Sequence, residues 1–284
     1  MNPRDAESLD QLLDASLGRM FDHVGVAVSD LAASERFYRT VLSVLGVEPS
    51  HADAALVEWE DWDIGVADRE HPVTRGLHVG FRARDRAQVD AFWRAGVDEG
   101  YRDDGAPGPR TQYAPTYYGG FLLDPDGNSV EAVHEDREAV VADGGIDHLW
   151  IRVRDLQTSR HFYTTIAPHA GLRLVHDEPG RVQLSGTDYS FSLVRDERPL
   201  TEHVHLAFPA SEDSTVRAFH AAALAAGFGT TARRASAWST TRATTARSCS
   251  TRTGTTSKSS TTTAVELSPT SPPTTSRLWA GWSA

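Results

Sequence analysis

Two histidines stand at matching places in two similar stretches of this 284-residue chain. His23 lies in FDHVGVAV and His78 in GLHVGF, each among apolar residues that alternate as in a half-buried strand. With Val24 and Val26, or Leu77 and Val79, turned to one face, both imidazoles point to the other. Glu131 alternates with Val130 and Ala132 in the same way. Two imidazoles and one carboxylate make the donor set of non-haem Fe(II) sites, which leaves positions for a bidentate substrate and O₂. The same residues also suit a polar pocket that holds its ligand without metal. Tyr113, Tyr117 and Tyr118 precede the last strand signals of this stretch, where a phenol would orient or protonate a bound oxygen substrate. Tyr113 and Tyr118 are the candidate catalytic groups, and Arg110, in a Gly/Pro loop, is a candidate receiver of a carboxylate.

The elements that must position these residues repeat along the chain. After the first strand, Asp30 reads as the N-cap of a helix carrying Phe37, Tyr38, Val41 and Leu45 and ending at Gly46. Strand signals near 55–59 and 63–67 follow. The pattern restarts at Gly76: a strand, a helix capped by Asp85 with Val89, Phe92, Trp93 and Val97, then strands at 119–123 and 129–134. The turn Asp124-Pro125-Asp126-Gly127-Asn128 joins the last two. It begins a third time at Ile146 with Asp147-His148, Asp155 and a helix holding Phe162 and Tyr163, and a fourth time near Val204-His205, whose helix covers 214–226.

From Thr230 the character of the chain changes. Of the 34 residues from Thr230 to Thr263, 20 are Ser or Thr and none is acidic, so there is little apolar area to offset chain entropy and disorder is expected. The genetic code relates this segment to an earlier one. When Thr240–Lys258 is aligned with Tyr113–Glu131, codons read one base out of frame convert one into the other: Thr (AC) conceals Tyr, Asn or Asp, Arg (CG) conceals Pro, Ser (TC) conceals Phe or Val, and Lys (AA) conceals Glu. Thr251-Arg252-Thr253-Gly254-Thr255 thus hides the turn Asp124–Asn128, and Lys258 hides the counterpart of Glu131. The frame breaks near Phe228–Thr230. Cys249, the only cysteine, falls in this tail and supports neither a disulfide nor a thiolate site.

The formal charge of −11 and the lack of a basic stripe argue against a nucleic-acid binder. No run of 18 apolar residues and no secretory leader is visible, so a cytoplasmic protein without membrane association is the expectation.

The words DHVGVAVSDLAASERFY, HVGF, YYGGFLLDPDGNSVEAV and DHLWIRVRDLQTSRHFY resemble the vicinal oxygen chelate superfamily, which includes glyoxalase I, bleomycin-resistance proteins and extradiol dioxygenases. The resemblance implies an α+β fold of tandem βαβββ modules, two units pairing into an open cup with helices outside. It implies an N-terminal extension at 1–19, a complete first module at 20–138, an incomplete second at 145–228 and an out-of-frame tail at 229–284. It places the metal ligands at His23, His78 and Glu131. Glyoxalase I adds a carboxylate from the fourth strand of the first half; here Ile64, Gly65 and Val66 occupy that strand, with Asp63 and Asp68 beside it and neither well placed. The second module offers His148 and His205, with His203 on the same face, and Lys258 in place of a carboxylate. The implied activity is that of a metal-dependent dioxygenase, lyase or isomerase on a small chelating oxygenated molecule, with Fe(II) or Mn(II) favoured and Zn(II) or Ni(II) as alternatives. The competing expectation is a metal-free binding protein of the antibiotic-sequestering type, its acidic balance suited to a cationic ligand. A small molecule and a second copy of the chain are the expected partners.

Overall fold

The structure, a computed structural model, describes residues 20–137, 144–186 and 189–230, with the backbone of strands at 261–267 and 277–278. Four units follow one another. The first holds β1 (His23–Val28), α1 (Leu31–Val44), β2 (His51–Ala52), β3 (Leu56–Glu58) and β4 (Trp62–Val66). The second holds β5 (His78–Arg82), α2 (Arg86–Asp98), β6 (Arg102–Pro109), β7 (Tyr118–Leu123) and β8 (Ser129–His134). The third holds β9 (Ile146–Arg152), α3 (Leu156–Ile166), β10 (Arg173–Glu178), β11 (Arg181–Ser185) and β12 (Ser190–Val194). The fourth holds β13 (Val204–Ala210), α4 (Asp213–Ala225), β14 (Gly229–Thr230), β15 (Thr261–Leu267) and β16 (Arg277–Leu278).

Local chemistry explains why these segments form. The Asp30, Asp85 and Asp155 side chains accept from backbone N–H groups of the first helical turn, at 3.0 Å from Ala33, 2.8 Å from Gln88 and 3.0 Å from Thr158. In the DPDGN turn, Asp124 Oδ1 accepts from the backbone N–H of Asn128 at 2.8 Å, and Asn128 Nδ2 donates to Asp124 Oδ2 at 2.9 Å. Gly127 supplies the positive φ of 89° that this turn requires. Asn128 Oδ1 in turn accepts from Leu77 N at 3.1 Å, so the turn ties the start of β8 to the start of β5 and sets their register.

The strands form two large sheets whose membership differs from chain order. One has the order β10-β11-β12-β9-β5-β8-β7-β6, joining the second and third units; the other runs β15-β13-β1-β4-β3-β2, joining the first and fourth. The first and second units, expected to share a cup, therefore lie in different sheets. They meet through the core instead, where Trp62 of β4 packs edge-on against Phe81 of β5 with ring centroids 5.6 Å apart. One apolar cluster, including Val24, Phe37, Trp62, Phe81, Phe92, Tyr163 and Phe208, runs through all four units.

The expectation of no ordered strand beyond Thr230 is corrected in part. Strand β15 pairs antiparallel with β13 along its whole length, Val204 opposite Leu267 and Ala210 opposite Thr261. β13 is an edge with unpaired backbone groups unless a strand covers it, and almost any extended segment can supply those hydrogen bonds. The stretch aligned with Tyr113–Glu131, Thr240–Lys258, lies outside the described residues.

Candidate metal centre

Three side chains from three strands of the eight-stranded sheet converge. His78 opens β5, Glu131 lies mid-way along the parallel neighbour β8, and His148 lies near the start of the antiparallel neighbour β9. Gly80 sits at the crossing, paired with Glu131 on one side and His148 on the other. Donor atoms of the three residues all lie within 4.8 Å of one another. His78 Nε2 is 3.1 Å from Glu131 Oε2 and 3.2 Å from His148 Nε2, and His148 Nε2 is 3.3 Å from the same carboxylate oxygen. The remaining ring nitrogens are held from behind: His78 Nδ1 by Ser129 Oγ at 3.0 Å and His148 Nδ1 by Asp147 Oδ1 at 3.0 Å. Tyr117 donates its hydroxyl to the second carboxylate oxygen, Glu131 Oε1, at 2.9 Å.

The cradle depends on two glycines. A Cβ on Gly80 would overlap the His148 ring, and one on Gly119 would overlap Glu131 Oε1. The donor set is the two-imidazole, one-carboxylate combination that suits a divalent first-row ion. It lines a cavity of about 470 Å³, partly open to solvent, whose walls include Tyr113, Trp150, Arg110 and Arg181.

Residues 20–132 match the Glyoxalase/Bleomycin resistance protein/Dioxygenase superfamily. The chain is 34% identical to a glyoxalase/bleomycin resistance protein from Albidiferax ferrireducens, covering all of that chain with 41% of its own, at a TM-score of 0.38. The chain belongs to this superfamily. Glyoxalase I from Zea mays is similar in fold over 92% of this chain and 91% of that one, at 14% identity and a TM-score of 0.53. No curated protein matches.

Within this superfamily fold, the structure brings His78 and Glu131 together and puts His148 beside them, while His23 stands in the other sheet. His23 lies on β1 and stacks against His205 of β13, ring centroids 5.2 Å apart. The reason is strand partnership: β5 takes β9 as its antiparallel neighbour, so the imidazole crossing at Gly80 comes from the third unit. The same exchange separates His148 from His205. His203 precedes β13 with φ +58° and so falls outside that strand's alternation. The placement of Asp63 is corrected as well. It lies on β4 paired with Gly25, two residues after His23, the register at which Glu131 pairs with Gly80 two residues after His78.

The tyrosines divide by face. Tyr113 is exposed at the cavity wall, and Tyr117 reaches Glu131. Tyr118, next along the chain, turns the opposite way, donating to Asp90 Oδ1 of α2 at 2.8 Å with Arg86 over its ring. The sequence reading favours Tyr113 and Tyr118, whereas Tyr117 is the phenol that reaches Glu131 and Tyr118 points to α2, because the alternation is read only once the strand entrance is placed.

Charge in the centre is arranged by its partners. Burial alone would raise the Glu131 carboxyl, but hydrogen bonds with His148 and His78 outweigh it and hold it at about 2. Burial opposes protonation of His148, yet Asp147 and Glu131 raise it to about 10. His78 is lowered, burial outweighing the pull of Glu131. Burial and the Glu131 charge push Tyr117 far up, so it stays a hydroxyl donor. The metal-free centre is thus a buried carboxylate–imidazolium pair, and an ion would take the place of the shared proton. The position related to Glu131 by the local two-fold is Ser192, which pairs with Trp150 two residues after His148 and accepts from Arg181 Nε at 3.1 Å. That position therefore supplies no second carboxylate as a fourth donor.

No helix among the described residues is long and apolar enough to cross a membrane.

Proposed function

We propose that this protein is a metal-dependent enzyme of the dioxygenase, lyase or isomerase type, acting on a small anionic molecule that chelates through adjacent oxygens. The convergence of His78, Glu131 and His148 on one wall of a solvent-open cavity carries this reading. Fe(II) or Mn(II) suits the donor set best, with Zn(II) or Ni(II) as alternatives. A bound divalent ion would polarise a chelated oxygen as a Lewis acid and, if iron, engage O₂. Ser192 at the fourth position favours a three-donor centre with room for a bidentate ligand over the four-donor arrangement of glyoxalase I.

The chain's own residues would do the rest. Glu131 contributes the anionic donor, and the Tyr117 hydroxyl fixes its orientation. Tyr113, at the mouth, is placed to meet the substrate, whereas Tyr118 serves helix packing. Arg110 and Arg181 flank the cavity with their planes over Phe121 and Trp150, at 5.2 Å and 5.0 Å. Arg110 donates to the Ala106 and Pro109 carbonyls, and Arg181 to Ser192 and Gln183. These neutral partners leave the positive charge of both guanidinia to a carboxylate or similar group. That local field favours an anionic ligand despite the acidic chain as a whole, and weighs against sequestration of a cationic drug.

The test is a Mn(II) titration followed by water-proton relaxation. Uptake at micromolar concentration, lost in Glu131→Gln and His148→Ala, is expected, and oxalate or a catechol should displace bound water and lower the relaxation rate. Absence of specific uptake of Mn(II), Fe(II), Zn(II) or Ni(II) by the folded protein would leave a metal-free binding protein as the better account.

We also propose that the chain after about Phe228 is read one base out of an earlier frame. The codon relation between Thr240–Lys258 and Tyr113–Glu131 supports it. Resequencing across the codons for Phe228–Thr230 tests it, and an unbroken frame through that point in independent clones would remove the idea.

A further inference from the structure

The cations that line the cavity differ in what already holds them. Arg152 Nε donates to Asp196 Oδ2 at 3.2 Å, and Arg198 Nε stands 3.4 Å from the same oxygen. Arg137 is paired with Glu135 and Asp147. Arg181 meets no carboxylate among the described residues, and it is the most firmly placed of the set. Its Nε donates to Ser192 Oγ at 3.1 Å and its Nη2 to Gln183 Oε1 at 2.9 Å, while Gln183 Nε2 donates on to Ser190 Oγ at 3.0 Å. Ser192 is buried, and the guanidinium lies over the Trp150 ring at 5.0 Å.

This arrangement engages one edge of the guanidinium and leaves the other. Nε and the Nη2 hydrogen beside it form the edge that meets Ser192 and Gln183. The Nη1–Nη2 edge keeps its parallel N–H groups, the fork that fits both oxygens of a carboxylate. With a ring beneath and hydrogen bonds behind, the fork is held in plane, so little side-chain freedom is lost when an anion arrives. A phosphate group would ask for donors around several oxygens, such as a helix N-terminus or a run of backbone N–H groups, and a single fork does not supply them. Arg110, which also lacks a carboxylate, has both terminal nitrogens engaged by carbonyls of its own loop, Pro109 and Ala106.

Register places this fork near the metal donors. Ser192 lies on β12 opposite Trp150, two residues after His148 on the neighbouring strand. The guanidinium it holds is therefore about one to two strand spacings from the imidazole, roughly 5–10 Å, within the same cavity. A short carbon chain covers that span.

We propose that the substrate is a small di-acid: adjacent oxygens at one end chelate the metal, and a second carboxylate, a short carbon chain away, is received by the Nη edge of Arg181. Arg181 is then the residue that selects for the second acid group. This rests on the metal-dependent reading of the cavity and adds to it the group at the far end of the molecule.

The test titrates the Mn(II)-loaded protein with 2-oxoglutarate and with 2-oxopentanoate, which share the chelating 2-oxo acid and the chain length and differ in ending on a carboxylate or a methyl group. Displacement of Mn(II)-bound water, read by proton relaxation, gives both affinities. Wild type should prefer 2-oxoglutarate by about tenfold or more, the effect of one charge-assisted contact. Arg181→Met should bring the two affinities level, Arg181→Lys should keep part of the preference, and Arg110→Met should change it less than Arg181→Met does. Equal affinities in wild type, an unchanged preference in Arg181→Met, or a larger loss in Arg110→Met would overturn the inference and leave the metal centre standing. Circular dichroism and Mn(II) uptake check that each variant is folded, and Arg181→Gln gives the same decision if Arg181→Met is not. Displacement of 2-oxoglutarate by inorganic phosphate more readily than by glutarate would assign the fork to a phosphoryl group and overturn the di-acid. If no Mn(II) is taken up, the metal reading fails by itself, and calorimetry of the same two acids with the metal-free protein decides the Arg181 site: a preference for 2-oxoglutarate that is lost in Arg181→Met upholds it, and no preference overturns it.

Discussion

His148 and His205 occupy equivalent register positions in the two sheets, each opposite the glycine two residues beyond a partner histidine. Their charge states are opposite. His148 is held protonated, at about 10, and burial pushes His205 down to about 3, with the nearby His23 and His71 adding to the effect. The difference lies in the neighbours, since Asp147 precedes His148 and Glu131 lies against it, while Val204 precedes His205. Register decides where an imidazole points. Adjacent carboxylates decide whether it carries a proton. The sheets differ in closure too: β12 runs parallel to β9, whereas β15 covers the edge of β13 in the antiparallel sense.

The comparison breaks most sharply at Glu131. Glu131→Gln leaves the buried His148 imidazolium with Asp147 as its one remaining carboxylate partner and should cost about 1–3 kcal/mol in the metal-free protein. It should also weaken metal binding by more than about 100-fold. Denaturant unfolding and metal titration read the two effects, and a change below about 1 kcal/mol would mean that the pair is open to water.

Removing one of the two carboxylates that distinguish the histidines should bring His148 part of the way toward His205. Asp147→Asn is expected to lower the His148 pKa by about one to two units, measured by NMR titration of the ring. An unchanged value would assign the shift to Glu131 alone.

Acid should act on the two sheets in different ranges. A histidine with a lowered folded value binds its proton more tightly when unfolded, so the His205 contribution is present above the unfolded value near 6.5 and is lost as pH falls toward about 3. The contribution of Glu131 is full above its unfolded value near 4.5 and is lost as pH falls toward about 2, and that of His148 is full below about 6.5 and is lost as pH rises toward about 10. Hydrogen exchange should show β13 and β1 loosening before β5 and β8 between pH 6 and 4. His205→Gln should flatten that slope by about 2 kcal/mol, and uniform loosening of both sheets would contradict it.

The smallest effect is expected at Tyr117. Tyr117→Phe removes one hydrogen bond to Glu131 and should weaken metal binding by about tenfold, with little change in fold. Tyr118→Phe, whose hydroxyl meets Asp90, should leave metal binding unchanged.

Much of this was legible in the chain. Period-two alternation placed His78 and Glu131 on one face, and the Asp caps and the DPDGN turn marked where strands and helices begin, because those signals act over a few residues. The proposed kinship of the tail to Tyr113–Glu131 rests on the sequence alone, since it is an argument about codons. Tertiary structure decided which strands become neighbours. His23 and His78 look equivalent in sequence, as do His148 and His205, yet the pairing of β5 with β9 and of β1 with β13 divides them between two sheets. Asp63 shows the same limit, its place opposite Gly25 hidden until β4 was set beside β1. Alternation along a strand fixes the direction of a side chain through local sterics, whereas the partner across a sheet is selected by packing among residues far apart in the chain, and no local pattern records that choice.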